Sequence, residues 1–350
     1  MRFTVQLDEK KFASLMRGRS DFLDVLVEER QATFLAYDLG VTVSCCVPII
    51  TSEDYEDVYF RVPAKVFLSF LTEGLVEFTL TGSEVIFKFL FKESTEQYQF
   101  EVKRQIVNFE RFEKIKLLRD HVLSGNYPKI DLMELESFIK LAYSIGSVVS
   151  SDGSVFYCAT NNVQLYCETR FPSSQSLSIY AGDLYALMRH DNCVYNIGSS
   201  VVSMADEFLV GVDKVRQTMT SDYAFLVKKT SKKKFVANLT NALAAVKRLN
   251  YWLVSAEINF TQKVCRLEAE NCKMSVPITV GSVKSDKATR TAEDVFKALE
   301  EKPDEVRIFL TKTQSGLLYG IKQHAHFDIF SRCVKVTLSP RMFLVISRSD

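Results

Sequence analysis

The apolar residues of this chain repeat one short pattern three times. Segments that begin with alanine at positions 64, 181 and 292 carry apolar residues three, four and seven positions later. This spacing places the apolar side chains on one stripe of a helix, which is the face that packs against a sheet. The three starts are separated by about the length of one small domain. The pattern predicts helices at Ala64–Leu71, Ala181–Met188 and Ala292–Leu299.

A second amphipathic helix is predicted ahead of each of these three. Its apolar positions are Phe12, Leu15 and Met16; then Phe138, Leu141, Ala142 and Ile145; then Leu239, Ala242, Leu243 and Val246. Between the helices lie β-branched and aromatic runs, such as 76–80 and 306–310, with turn signals such as Ser151-Asp152-Gly153. The chain is therefore predicted to be an α+β protein of three repeated domains, each with antiparallel sheets and two helices on one face.

The length of the repeat predicts where the domains begin and end. We expect domains at residues 1–112, 113–228 and 229–350, which suits a chain of 350 residues. Connecting segments are expected at Asn108–Ile130, which contains a Gly-Asn-Tyr-Pro turn, and at Thr218–Lys233.

Composition and charge narrow the class of protein. The net charge is +1, so any contact with a nucleic acid must come from local clusters of cations and not from a global basic field. The eight cysteines form no CxxC pair, which predicts free thiols in a reducing compartment. Met1–Lys10 lacks the apolar region of a signal peptide, and no run reaches the ~18 apolar residues of a membrane span. We expect a soluble cytoplasmic protein that contacts no membrane.

The first repeat contains two recognisable stretches. Phe34–Val41 reads Phe-Leu-Ala-Tyr-Asp-Leu-Gly-Val, and Val62–Leu71 begins Val-Pro-Ala-Lys. They resemble the first domain of the bacterial sliding clamps, the beta subunit of the replicative DNA polymerase. In that family a strand that ends in Ala-Thr-Asp is followed by a helix that starts with Val-Pro-Ala-Lys.

The second repeat carries a similar signal. Cys158–Leu165 is similar to the family's Ala-Thr-Asp-Gly-His-Arg-Leu segment, and Asp222-Tyr223 is similar to its Pro-Asp-Tyr at the next linker. The motifs are short and degenerate, which indicates a divergent member and is compatible with a phage origin and with action in the cytoplasm of an infected host.

The resemblance implies a non-enzymatic processivity factor. Such a protein encircles double-stranded DNA, tethers the DNA polymerase and is placed on DNA by a clamp loader ATPase. Three domains in each chain imply a homodimer, because two chains would complete a ring of six domains and head-to-tail interfaces can close a ring.

A clamp that slides must touch phosphates weakly, through the helix faces that point away from the sheets. The candidate DNA-binding residues are Lys10, Arg17, Lys65, Lys140, Arg189, Lys232, Lys233, Lys234, Arg248 and Lys297. Lys234 and Arg248 are assigned to one face of the third repeat's first helix. The Ser231–Lys234 cluster would stand at that helix start, where the macrodipole disfavours lysine and a phosphate would offset the cost. For any single residue, a solvated helix face explains the charge equally well.

The resemblance also implies an apolar groove between the second and third domains, which takes short hydrophobic peptides from the polymerase, the clamp loader and repair proteins. Residue-by-residue matching implies that the groove is formed by Val163, Leu165, Val227, Val345 and Ile346. Each could instead be an ordinary core residue. The polar ending Ser347–Asp350 departs from the family's Met-Pro-Met-Arg-Leu ending, which leaves the partner motif open.

No pattern in the sequence supports an enzyme. Phosphate-binding loops, nucleophile elbows and HExxH motifs are absent, and His324-Ala325-His326 has no third ligand at metal spacing. We expect no catalytic residue, metal or cofactor. Three hypotheses stay open: a homodimeric ring clamp, a monomeric clamp-fold viral processivity factor that binds DNA without a loader, and a structural or interaction protein that uses the same repeat without DNA.

Overall fold

The computed structural model of the chain describes residues 1–52, 57–91, 98–104, 109–127, 129–146, 148–160, 163–169, 176–215, 233–249, 252–282, 307–311, 324–330 and 333–347. Within these residues every strand pair is antiparallel. The chain forms two compact units, Met1–Met133 with Ala186–Lys214 and Glu134–Tyr185 with Val215–Asp350.

One order of elements, namely a strand, a helix, four strands, a helix and three strands, occurs twice in full, and the described residues of a third copy repeat its strands and its first helix. Its first copy comprises β1 (Arg2–Gln6), α1 (Glu9–Met16), β2 (Phe22–Glu28), β3 (Gln31–Asp38), β4 (Val41–Ser52), β5 (Val58–Pro63), α2 (Ala64–Phe70), β6 (Leu75–Leu80), β7 (Glu84–Phe89) and β8 (Tyr98–Lys103).

The second copy follows a further helix, α3 (Phe109–Leu123). It comprises β9 (Lys129–Asp131), α4 (Glu136–Ile145), β10 (Val148–Ser151), β11 (Val155–Ala159), β12 (Val163–Glu168), β13 (Leu177–Tyr180), α5 (Ala181–His190), β14 (Cys193–Ile197), β15 (Ser200–Ala205) and β16 (Phe208–Asp213).

The third copy comprises β17 (Lys233–Asn238), α6 (Thr240–Leu249), β18 (Leu253–Asn259), β19 (Val264–Ala269), β20 (Cys272–Pro277), β21 (Thr279–Ser282), β22 (Arg307–Thr311), β23 (His324–Ile329), β24 (Cys333–Ser339) and β25 (Met342–Ser347). It has one strand more than the others, since β20 ends at Pro277 and the chain resumes as β21. The helix predicted at Ala292–Leu299 lies outside the described residues.

The predicted α+β class and its repeated antiparallel architecture are confirmed. Helices α1 and α4 bury the predicted stripes, with Phe12 and Met16 fully buried in α1 and Phe138 in α4. The Phe12 ring meets the Phe34 ring of β3 edge-on, with centroids 5.4 Å apart. The domain limits 1–112, 113–228 and 229–350 stay a prediction.

The connecting segment expected at Asn108–Ile130 contains the fifteen-residue helix α3, which the sequence analysis missed. Phe112, Ile115, Leu118 and Val122 repeat every three or four residues and are buried on its inner side. They pack with strand residues such as Leu209. The terminal Gly-Asn-Tyr-Pro turn favours a linker, but the buried stripe is that of a packed helix.

Strand pairing between successive copies follows a rule. The last strand of the second copy, β16, pairs with the fourth strand of the first copy, β4. In the same way β25 pairs with β12. Among the described residues, β8 and β20 each stand at the edge of a sheet with one side unpaired. These are the two strands that the rule leaves without a partner.

Candidate nucleic-acid interface

Two of the predicted DNA-binding residues line one cleft. Arg17 directly follows α1, and Lys65 lies in the first turn of α2. Both side chains are exposed, and both line a cleft with a volume of about 670 Å³. Arg19 lines it as well, and the sequence analysis did not select it because it falls beyond the helix. Asp21 and Asp38 are also in the lining, so the cleft carries both signs of charge.

Two neighbouring lysines of α1 differ in their partners. The Lys11 ammonium lies 2.7 Å from the Asp206 carboxylate and 5.0 Å from the centre of the Phe208 ring. The hydrogen bond from Lys11 lowers the pKa of Asp206 below its usual value. Lys10 is exposed and has no ion pair within the described part of the chain. Lys10, rather than Lys11, is therefore available to a phosphate.

Helices α4 and α5 of the second copy carry two further candidates. Lys140 is exposed but forms an ion pair with Glu136 one turn earlier, and this hydrogen bond raises the pKa of Lys140. Arg189, in the last turn of α5, is exposed and has no ion pair with a described residue. The positive charge of Lys140 is thus partly balanced locally, whereas that of Arg189 is not.

In the third copy, the assignment of Lys234 to a helix was wrong. Lys234 lies in β17, which pairs with β21 on one side and with β23 on the other. Helix α6 begins later because the Asn238 side-chain oxygen accepts hydrogen bonds from the Thr240 backbone N–H at 3.0 Å and from its hydroxyl at 2.7 Å. Lys234 is exposed and 3.8 Å from the Asp328 carboxylate. Arg248 lies in the last turn of α6, as predicted, and is exposed.

Several predicted residues cannot be placed in this way. Lys232, Lys297 and Val227 lie outside the described residues. The backbone of Lys233 belongs to β17, but its side chain is not among those that the structure describes.

The predicted groove residues occupy two paired strands, β12 and β25. Val163 is paired with Ile346, and Leu165 is paired with Leu344. Directly opposed residues of an antiparallel pair point to the same face of the sheet, so Val163, Leu165 and Ile346 share one face. All three are completely buried.

Val345 lies on the other face of this strand pair. Its side chain belongs to a buried cluster with Tyr157, Tyr166 and Phe343. The five groove candidates are therefore not brought together on one surface: three share a face, one is on the opposite face, and Val227 lies outside the described residues.

Three buried cysteines have thiols with raised pKa values. Loss of hydration on burial raises the pKa of Cys158 and Cys265 to about 12 and that of Cys167 to about 11. These thiols are protonated at neutral pH and are poor nucleophiles. Within the described residues, no three His, Cys, Asp or Glu side chains are placed to hold a metal ion.

The described part of the chain contains no helix that is both long enough and apolar enough to cross a membrane.

The repeated order of elements and its strand pairing define a DNA sliding-clamp fold, and known structures bear this out. A DNA polymerase sliding clamp from Pseudomonas aeruginosa matches with a TM-score of 0.65 at 12% identity, covering 100% of this chain and 99% of that chain. The beta subunit from the DNA polymerase of Streptococcus pyogenes matches with a TM-score of 0.66 at 10% identity, covering 100% of both chains.

A third structure, the Helicobacter pylori beta clamp bound to a DNA ligase peptide, matches with a TM-score of 0.65 at 9% identity over 100% of both chains. No protein-family profile and no curated protein sequence matches the chain. The suspected resemblance to the bacterial polymerase beta subunit is confirmed at the level of the fold.

Proposed function

We propose that the protein is a DNA sliding clamp, a non-enzymatic processivity factor that encircles duplex DNA. The observation that carries the proposal is the pairing rule. The last strand of one copy completes the sheet of the copy before it, in β16 on β4 and in β25 on β12. Continuing the rule, β8 of one chain pairs with β20 of a second chain, and the reciprocal contact closes a head-to-tail ring of two chains.

The two unpaired edges support this closure. Tyr98 in β8 is 44% exposed, and Met274 in β20 is 41% exposed. The residues paired with them, Phe89 and Leu267, are buried on the core side of each sheet. An exposed six-residue edge strand invites pairing, and a second copy would cover both edges.

The exposed cations supply the DNA contacts in this proposal. Five of the described candidates have no ion pair with a described residue: Lys10, Arg17, Lys65, Arg189 and Arg248. Lys140 and Lys234 have carboxylate partners that would compete with phosphate. A few unbalanced cations spread over the helices and the adjoining turns suit a protein that must hold DNA weakly enough to slide.

Retention on plasmid DNA tests the proposal. Wild-type protein, loaded on a nicked circular plasmid with or without a clamp loader, should stay bound at moderate salt and leave after the circle is cut. Protein that binds circular and linear DNA alike and is stripped by salt would instead support a monomeric processivity factor. If no DNA were bound with a loader present, the structural or interaction protein would be the better account.

We also propose that the DNA polymerase, the clamp loader and other partners dock at the β12–β25 strand pair, on the face shared by Val163, Leu165 and Ile346, with Val227 as a further groove candidate. Val345, on the opposite face, is not part of this groove. Because Val163, Leu165 and Ile346 are completely buried, a peptide would reach them only if the covering residues move. Leu165→Ala should weaken polymerase capture on loaded DNA. Leu23→Ala, at a completely buried position of β2 that belongs to neither the proposed groove nor the proposed ring contact, is the matched control for a general loss of core packing. Equal losses in both variants would contradict a groove at Leu165.

A further inference from the structure

An aromatic pair stands on the exposed side of helices α4 and α5, next to the charged candidates. The rings of Tyr143 and Tyr185 stack with centroids 4.8 Å apart and an angle of 15° between their planes. Tyr143 is 54% exposed, although the opposite side of its helix is buried. Tyr143 thus presents an amphipathic ring on the solvent side of a well-packed helix.

One backbone position lies next to this stack. Gly182 lies in the first turn of α5, and a Cβ atom built there would be 3.8 Å from the Tyr143 ring. This is an ordinary van der Waals distance, so the Tyr143 ring lies against the start of α5 as well as on Tyr185.

The charges around the pair are arranged along the two helices. Lys140 precedes Tyr143 by one turn, and Arg189 follows Tyr185 by one turn. Lys140 is balanced by Glu136. Neither tyrosine hydroxyl has a hydrogen-bond partner among the residues that the structure describes. The two helices thus offer two uncharged hydrogen-bond donors, flanked along the chain by a lysine paired with a carboxylate and by an arginine that has no ion pair among the described residues.

We propose that Tyr143 and Tyr185 form a neutral contact to the DNA sugar–phosphate backbone, an inference that rests on the proposed clamp function. Tyrosine hydroxyls donate hydrogen bonds to phosphate oxygens without replacing a counterion. Such a contact holds the duplex in position and adds no steep electrostatic attraction. It suits a chain with a net charge of +1 that must slide.

The test separates a hydroxyl contact from mere helix packing. The double variant Tyr143→Phe/Tyr185→Phe keeps both rings and removes both hydroxyls. Its affinity for a fluorescently labelled duplex should fall roughly tenfold. The slope of log affinity against log salt concentration should stay that of the wild type. Arg189→Ala should instead make the slope shallower by up to about one unit, because one phosphate contact of a cation without an ion pair among the described residues is lost.

Tyr59→Phe is the matched control, since Tyr59 is a partly exposed tyrosine in β5, far along the chain from α4 and α5. It should bind as the wild type does. A double variant that folds normally and binds as tightly as the wild type would overturn the tyrosine contact and leave the clamp proposal standing. A double variant with a shallower salt slope would also overturn it. A wild type that binds no duplex, even at low salt and with a clamp loader present, would overturn the clamp proposal and the tyrosine contact together.

Discussion

The two junctions between successive copies have the same strand pairing but differ in the side chains that line them. In the β3–β4–β16 junction, Leu35, Ser44 and Leu209 form one row across three strands. In the β11–β12–β25 junction, the row in the same register is Tyr157, Tyr166 and Phe343. The first row, called the small row below, consists of two leucines and a serine. The second, called the aromatic row, consists of two tyrosines and a phenylalanine.

The small row lies beneath a helix. Leu35 and Leu209 are buried together with Phe112 and Leu118 of α3. Gly211 contributes to the close fit, because a Cβ atom there would be 3.6 Å from the Leu118 side chain. In the other junction the residue equivalent to Gly211 is Val345. Gly211 is paired with Thr42, and Val345 is paired with the equivalent residue, Gln164.

The side chains of the aromatic row pack against one another in one buried cluster. The Tyr166 ring stacks on the Phe343 ring at 5.1 Å, and the Lys335 ammonium lies 4.2 Å from the centre of the Phe343 ring. The comparison teaches that one register accepts side chains of very different volume. Among the described residues, the row of lower volume is the one that packs against a helix.

Removing the main anchor of α3 should have the largest effect. Phe112→Ala should lower the free energy of unfolding by about 3–5 kcal/mol, because a buried ring leaves a cavity between α3 and the sheet. Chemical denaturation would measure the change. Leu117→Ala, at a position of α3 that is 58% exposed, should change stability far less. Equal effects of the two variants would show that α3 is not held by its buried stripe.

Introducing a residue of the aromatic junction into the first junction should destabilise the protein less than Phe112→Ala does. Gly211→Val introduces the residue of the aromatic junction under Leu118 and should destabilise by about 1–3 kcal/mol through overpacking. Gly211→Ala adds only a Cβ atom at van der Waals distance and should be better tolerated. Thermal unfolding of both variants checks this, and a valine variant as stable as the wild type would contradict close packing of α3 at this point.

A substitution in the small row should stabilise the protein. The Ser44 hydroxyl is buried and has no hydrogen-bond partner among the described residues. Ser44→Ala removes this unsatisfied group and should raise the free energy of unfolding by about 1 kcal/mol. A lower melting temperature in the alanine variant would indicate that the hydroxyl is hydrogen-bonded after all.

The two junctions also place a cysteine at the same register position, Cys45 in β4 and Cys167 in β12. Burial raises the pKa of both thiols, and it does so more for Cys45, which is the more deeply buried of the two. Alkylation at pH 8, followed by peptide mass spectrometry, should modify the exposed Cys272 first, then Cys167, and Cys45 last. Faster modification of Cys45 than of Cys167 would contradict this order.

The sequence predicted the repeat and most of its helices because each helix carries a clear apolar stripe at helical spacing. It missed α3, whose stripe of Phe112, Ile115, Leu118 and Val122 is interleaved with charges and lies outside the repeated pattern. It also placed Lys234 on a helix, because a run of lysines carries no apolar periodicity to mark where β17 ends and α6 begins.

The candidate site was harder to predict than the fold. Exposed cations such as Arg17 and Lys65 could be predicted because they lie opposite the apolar stripes of their helices. The cleft that they share with Arg19 could not, because it depends on how the end of α1 and the start of α2 lie in the fold. The division of the groove candidates between two faces follows from strand parity. Val345 and Ile346 are adjacent in β25 and must point in opposite directions, a constraint that matching residues by motif did not use.

The most direct test of the closed ring is the solution mass, measured by light scattering, of the wild type and of Met274→Asp. The wild type should have twice the 39.9 kDa mass of one chain. The aspartate at the exposed edge of β20 should shift the protein to the monomer while its circular dichroism stays unchanged. A wild type that is monomeric at every concentration tested, or a dimer that survives Met274→Asp, would contradict closure through β8 and β20.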